Sequence, residues 1–179
     1  MQNDIREVLI TEEALSAKVK EMGRMITGDY RGKDLMLVSV LKGSVVFMSD
    51  LMRAIEIPLK VDFMNVSSYG SGAKTSGIVK IVKDLDVSVE GCDLLIVEDI
   101  LDSGKTLSYL KEILSARKPR SIAIAALLDK PERRQVQVTP DYIGFTIPDE
   151  FVVGYGLDFN ERYRNLPYVA VLSPHVYQD

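Results

Sequence analysis

The sequence predicts an α/β fold: one domain over residues 1–179, built on a mainly parallel twisted sheet with helices on both faces. Two observations carry this. Short runs rich in Val, Ile and Leu, such as residues 35–40 and 94–97, read as strands buried on both faces. Between them lie segments whose apolar residues recur at helical spacing, and strands alternating with helices imply parallel pairing through right-handed crossovers. No repeat, low-complexity tract or linker divides the chain.

Thr11 followed by Glu12 and Glu13 opens a helix whose apolar side is Leu15, Val19, Met22 and Ile26 and which stops around Gly28. After the strand at 35–40, Leu41-Lys42-Gly43-Ser44 turns the chain into a helix carrying Val45, Met48, Leu51 and Met52. Pro58 precedes a strand over 59–66. Residues 67–77 hold three glycines and small polar side chains that bury little surface. That stretch is longer than a tight hairpin needs and carries the single aromatic Tyr69, which favours a flexible lid over a plain connection. Strands at 78–82 and 94–97, a helix from about 106 to 116 and a strand over 122–127 follow, until Asp129-Lys130-Pro131 breaks it. Short strands are expected near 142–146, 152–155 and 168–171. Glu132-Arg133-Arg134 reads as a charged surface loop.

Composition narrows the chemistry. An apolar content of 46% with 27% charged residues is that of a folded globular domain. The formal net charge of -4 argues against broad adhesion to nucleic acid or anionic membrane. No apolar run approaches the roughly 20 residues that span a bilayer, and Met1 to Arg6 lacks a secretory core, so the expected location is cytoplasmic. Cys92 is the only cysteine and His175 the only histidine. Ser-His-Asp and Cys-His chemistry therefore have little to stand on, and acid-base work falls to carboxylates, lysine or tyrosine.

Residues 94–106 read Leu-Leu-Ile-Val-Glu-Asp-Ile-Leu-Asp-Ser-Gly-Lys-Thr: an apolar strand, three acids within five positions, then a small-residue turn into a helix. Helix-start amides and the positive end of a helix dipole suit a phosphate. Glu98, Asp99 and Asp102 suit sugar hydroxyls, a metal or a proton, so the loop asks for a phosphorylated sugar. Gly104-Lys105-Thr106 matches the end of a nucleotide P-loop, but Asp99 stands where that motif needs its first glycine, and the acids would repel a triphosphate.

This pattern resembles the phosphoribosyl pyrophosphate loop of the type I phosphoribosyltransferases. Leu41-Lys42-Gly43, Ser68-Tyr69, Lys130 and the run Ile147 to Asp158 narrow the resemblance to the hypoxanthine-guanine phosphoribosyltransferases, over nearly the whole chain. The resemblance implies that fold, with a small hood formed by the N- and C-terminal segments. It implies Mg2+-dependent purine salvage, with phosphoribosyl pyrophosphate and a 6-oxopurine base as substrates, and a homodimer or homotetramer without nucleic acid or membrane partners. Glu98 and Asp99 would hold the ribose hydroxyls directly or through the metal, with Asp158 a further metal-associated carboxylate. Ser103, Gly104, Lys105 and Thr106 would hold the 5'-phosphate, and Lys42, Gly43 and Arg164 the pyrophosphate. Family members often have a cis peptide at the position of Leu41-Lys42.

Asp102 would be the general base, a task for which the ordinary aspartate pKa of about 3.9 is low, so partial burial or a compensating interaction is expected. Lys130 would donate to the purine 6-oxo group, excluding adenine, which presents a donor there. Phe151 would stack on the base, the Val152 backbone would read its Watson-Crick edge, and Leu157 would pack nearby. Ser68 and Tyr69 are the lid residues that the resemblance carries over. Gly156 stands where other members have alanine. Two alternatives stay open: an RNA-binding regulator on the same scaffold, and a phosphoribosyltransferase acting on xanthine or a pyrimidine.

Overall fold

The computed structural model describes residues 1–68 and 79–177. In chain order its elements are β1 (Ile5–Ile10), α1 (Glu12–Asp29), β2 (Leu35–Val40), α2 (Val45–Ala54), β3 (Leu59–Ser68), β4 (Val79–Lys83), β5 (Asp93–Leu101), α3 (Lys105–Ser115), β6 (Ser121–Asp129), β7 (Tyr142–Thr146), β8 (Val152–Val153), β9 (Val169–Leu172) and a short α4 (Pro174–Tyr177). Among the described residues, six strands form the main sheet in the order β4-β3-β2-β5-β6-β7. Every pairing in it is parallel except β3 with β4 at the edge.

Period-two alternation divides the sheet between two cores. Leu35, Leu37, Leu95, Val97, Ala125 and Leu127 face one way, against Val19, Met22 and Ile26 of α1 and Phe47, Met48 and Leu51 of α2. Met36, Val38, Val40, Leu94, Ile96, Ile124 and Ala126 face the other, against Leu107, Leu110 and Leu114 of α3. Helices thus cover both faces, which is why β2 is buried at every position and reads as a continuous apolar run. Truncating one of these side chains to alanine costs about 2–5 kcal/mol.

Thr11 caps α1 as its residue type predicts: it is extended, and its hydroxyl accepts from the Ala14 N–H at 3.2 Å. The crossing of α1 over α2 is close enough to require Gly23, since a Cβ there would lie 2.4 Å from the Ala54 carbonyl oxygen.

Chain order reverses direction across the sheet between β2 and β5: β3 and β4 lie to one side, β6 and β7 to the other. That is a topological switch point, and the loops leaving its two strands open a crevice where open α/β sheets bind ligands. These loops are 41–44 and 101–104.

A second, antiparallel sheet, β1-β9-β8, joins the two ends of the chain over the 148–151 turn and is the expected hood. Its own small core contains Val153, Tyr163, Leu166 and Leu172. The strand β1 has no counterpart in the sequence reading, because most of it is partly or fully exposed and lacks an alternating pattern. Its partner, β9, lies at the far end of the sequence. No described helix is long and apolar enough to cross a membrane.

Candidate active site

The switch-point loops touch. A Cβ on Gly43 would lie 2.0 Å from Asp99 Oδ2, so glycine lets this backbone meet that carboxylate, and any side chain there would push the carboxylate aside. The Leu41-Lys42 peptide is cis. Gly156, at φ +100°, closes on the same point, and a Cβ there would lie 2.0 Å from the Gly43 carbonyl oxygen. An alanine at 156 therefore needs the 41–43 loop to shift. Arg164 sits beside this junction, donating to the Gly156 carbonyl at 2.9 Å and pairing with Asp158 at 3.0 Å. Its buried Nε has no partner among the described residues. Lys42 reaches out to Glu161 at 3.1 Å, both side chains being well exposed.

Glu98 and Asp99 end β5 side by side. Burial first, and the neighbouring Asp99 charge second, hold the Glu98 carboxyl well above its ordinary range. Asp99 is pushed up to about 6 by burial, against the opposing pull of backbone amides, including that of Ile100, and of Arg164. Both side chains still reach the crevice. Two packed-in carboxyls that form no ion pair among the described residues suit a site that receives positive charge or hydroxyl donors.

Beyond them the chain turns into α3. Gly104 takes the N-cap position, left-handed at φ +83°, and the Ser103 hydroxyl accepts from the Lys105 N–H at 3.4 Å. First-turn N–H groups beyond that of Lys105 have no partner within the helix and remain available. Glu98, Asp102, Ser103, Gly104 and Thr106 line a cleft of about 190 Å³ here. Lys105 and Thr106 are exposed at its rim.

Asp102 is half-buried, and Arg133 Nε lies 3.4 Å from its Oδ1. Arg133 also approaches Asp149 at 3.9 Å, and Asp149 lies 3.6 Å from Lys130. Asp102 is thereby linked through charges to Lys130. The Lys130 ammonium is buried and donates to the Glu150 carbonyl at 2.9 Å.

Next to it, Phe151 stays 38% exposed, which is unusual for an aromatic beside a core. Its ring is stacked by Tyr177 at 4.8 Å and met edge-on by Phe159 at 5.5 Å. Val152 is buried in β8, where it pairs with Val171. Leu157 packs against the larger core from a tight turn in which it exchanges hydrogen bonds with Gly154.

The fold thus gathers the residues expected from the sequence, except those of the lid. Ser68 ends β3, while Tyr69 and nearly all of the expected 67–77 lid lie outside the described residues. A larger cleft of about 540 Å³ between α1, α2 and residues 164–167 shares only Arg164 with the expected site.

Several residues at the site went unread. Glu132 and Arg133 are exposed, as a surface loop predicts, but Arg133 also faces Asp102, and Arg134 departs from that reading: it is largely buried and donates to the carbonyls of Asp102 and Val138. The adjacent arginines offered a signal of charge but no hint of their partners. Tyr177 and Arg6, which pairs with Glu150 at 2.8 Å, come from the chain ends and left no local signal at all.

Residues 9–160 match the family model described as the phosphoribosyl transferase domain. The chain is 55% identical over 178 residues to the hypoxanthine-guanine phosphoribosyltransferase of Bacillus subtilis (strain 168), covering 99% of each. It is 54% identical over 179 residues to the bifunctional protein TilS/HprT of Listeria innocua serovar 6a, where the match takes in the whole chain but only 28% of that relative's length. A crystal structure of a hypoxanthine phosphoribosyltransferase from Staphylococcus aureus superposes with a TM-score of 0.97 at 52% identity, covering 100% of this chain and 97% of that one.

Proposed function

The chain belongs to the phosphoribosyl transferase domain family, among the hypoxanthine-guanine phosphoribosyltransferases, and we propose that it transfers the phosphoribosyl group of 5-phosphoribosyl 1-pyrophosphate to N9 of hypoxanthine or guanine. The products are IMP or GMP and pyrophosphate. The observation that carries this reading is the meeting of Gly43, the Glu98-Asp99 pair and the 102–106 turn at one switch point, with Lys130 linked to Asp102 through Asp149 and Arg133.

In this reaction the bond from ribose C1 to pyrophosphate oxygen breaks, its electron pair leaving with pyrophosphate, and purine N9 bonds to C1. Ser103 to Thr106 hold the 5'-phosphate through backbone amides and the two hydroxyls. Glu98 and Asp99 hold the ribose hydroxyls, and their negative field favours the positive charge that builds on the sugar. Lys42, the Gly43 backbone and Arg164 receive the pyrophosphate. The unpartnered Arg164 Nε suits that role, because a phosphate oxygen satisfies a donor that the protein leaves spare. Asp102 takes the proton from purine N7 as N9 attacks.

Lys130 has three N–H donors and spends one on the Glu150 carbonyl, so a donor remains for the 6-oxo group. Adenine presents its own donor there and is rejected. Phe151 offers its exposed ring to the base, and the Val152 backbone and Leu157 complete the pocket. Ser68 and Tyr69 belong to a lid that keeps water from the reacting centre.

Among the described residues, no three His, Cys, Asp or Glu side chains form a metal cage of their own. The oxygen donors Glu98, Asp99 and Asp158 would hold a magnesium ion, which would supply positive charge against the pyrophosphate. We place the protein in the cytoplasm as a homodimer or homotetramer.

The test is a spectrophotometric assay with phosphoribosyl pyrophosphate and Mg2+, offering hypoxanthine, guanine, xanthine, adenine and uracil separately. Turnover of hypoxanthine and guanine but not adenine or uracil is expected. No nucleotide from either of the first two bases would sink the proposal.

A further inference from the structure

A turn that offers its amides to a phosphate must put its carbonyls somewhere else. In a trans peptide the C=O and the following N–H lie in one plane and point in opposite directions, so whatever holds the carbonyls aims the amides. At 101–103 all three carbonyls are held by one neighbouring segment. The Leu101 carbonyl accepts from Lys130 N–H at 3.0 Å, and the Ser103 carbonyl accepts from the N–H groups of Gln135 and Val136 at 2.9 and 3.1 Å. The middle one, that of Asp102, accepts from Arg134 Nε at 3.1 Å, through a side chain and not the backbone.

The other nitrogens of the same guanidinium anchor it. Nη1 donates to the Val138 carbonyl at 2.7 Å, and Nη2 to the largely buried Asp129 carboxylate at the end of β6. Around Gly104 the fit is tight, since a Cβ there would lie 3.0 Å from the Val136 carbonyl oxygen and 3.1 Å from Arg134 Cδ. Asp129 adjoins Lys130 in sequence, so one arginine ties the base-facing end of β6 to the phosphate turn.

We infer that Arg134 is a positioning residue: it holds the Asp102 peptide so that the Ser103 amide faces the 5'-phosphate and the Asp102 carboxylate faces the base. A planar fork with fixed donors serves three acceptors in three directions; a lysine ammonium on a flexible stem cannot span them. This inference deepens the proposed function and rests on it for the identity of the phosphate.

The experiment compares the full chain with its Arg134→Lys and Arg134→Ala variants in steady-state kinetics, thermal melting and amide hydrogen exchange. In Arg134→Lys, we expect kcat/KM for phosphoribosyl pyrophosphate to fall roughly tenfold to a hundredfold, the scale of a small misplacement. The KM for hypoxanthine should stay within about twofold, and exchange at the Ser103 and Gly104 amides should quicken by about tenfold or more. Added guanidinium at millimolar concentration should restore part of the activity of Arg134→Ala. Unchanged kinetics and unchanged exchange in a folded Arg134→Lys overturn the inference. So does a loss shared by both substrates, with lowered melting and no guanidinium rescue. If the wild-type chain turns over neither base, it is the proposed function that has failed, and exchange at Ser103 and Gly104 still decides the role of Arg134.

Discussion

The phosphate turn at 98–106 and the base-facing segment at 147–159 both supply expected binding residues, yet they are assembled differently. In the first, strand, acids, glycine and helix start follow one another along the chain, and the binding groups include backbone amides that any sequence adopting the turn would present. In the second, Phe151 and Val152 are placed by partners from elsewhere: Tyr177 stacks on the ring, β9 pairs with β8, and Arg6 fastens Glu150 across 144 residues of sequence. In the proposed function the first region gathers charge-bearing groups around the transfer step, and the second selects which base arrives. A change in the turn should therefore appear in turnover, and a change on the base side in affinity and discrimination.

The largest expected effect breaks this comparison if it fails. Asp102→Asn should lower kcat by roughly a hundredfold to ten-thousandfold, the usual worth of general-base catalysis, with little change in affinity for phosphoribosyl pyrophosphate. Unchanged turnover, measured by steady-state kinetics, would remove the base from the turn. On the other side, Lys130→Met should cut kcat/KM for hypoxanthine by about tenfold to a hundredfold, as expected for losing a hydrogen bond from a charged donor. The ratio of hypoxanthine to adenine turnover is the sharper reading, and it should fall. Phe151→Leu should raise the KM for the base by about twofold to tenfold, the worth of an aromatic contact beyond its area, while kcat holds. A drop in kcat alone would move Phe151 from the selecting region to the reacting one.

The smallest effect concerns pH. Glu98 and Asp99 are both held above their ordinary range, so the folded chain keeps protons that the unfolded chain releases from about pH 4 upward. Stability from these groups is complete below that point and is lost as pH rises through the folded value, about 6 for Asp99. Free of ligand, the protein should melt a few degrees lower at pH 8 than at pH 5 through this effect. Glu98→Gln should flatten the difference in thermal melts. A slope unaltered by that substitution would show that the acidic pair does not carry it.

Much of the phosphate turn was legible in the sequence, including the strand, the acids and the switch from period two to helical spacing. Its buttress was not. Arg133 and Arg134 read as a charged surface loop because nothing in the sequence singles out Asp102, Asp129 or Val138 as their partners. The helix α3 begins at Lys105 after a left-handed Gly104, with the Ser103 hydroxyl on the Lys105 N–H, an arrangement that the residue types alone do not specify. On the base side, Phe, Val and Leu look like ordinary core, and their assignment rested on the family pattern.

By itself the sequence determined the alternation of strands and helices, the two apolar faces of the sheet and the place of the acidic turn. These follow from side-chain periodicity and local backbone preference, which act within a few residues. Only the tertiary structure decided that β1 joins β9, that Gly43 closes on Asp99 and Gly156 on Gly43, and that Arg134 holds the turn from behind. Each of these depends on the direction and distance of groups far apart in the chain, which become definite once the sheet order brings their strand ends together.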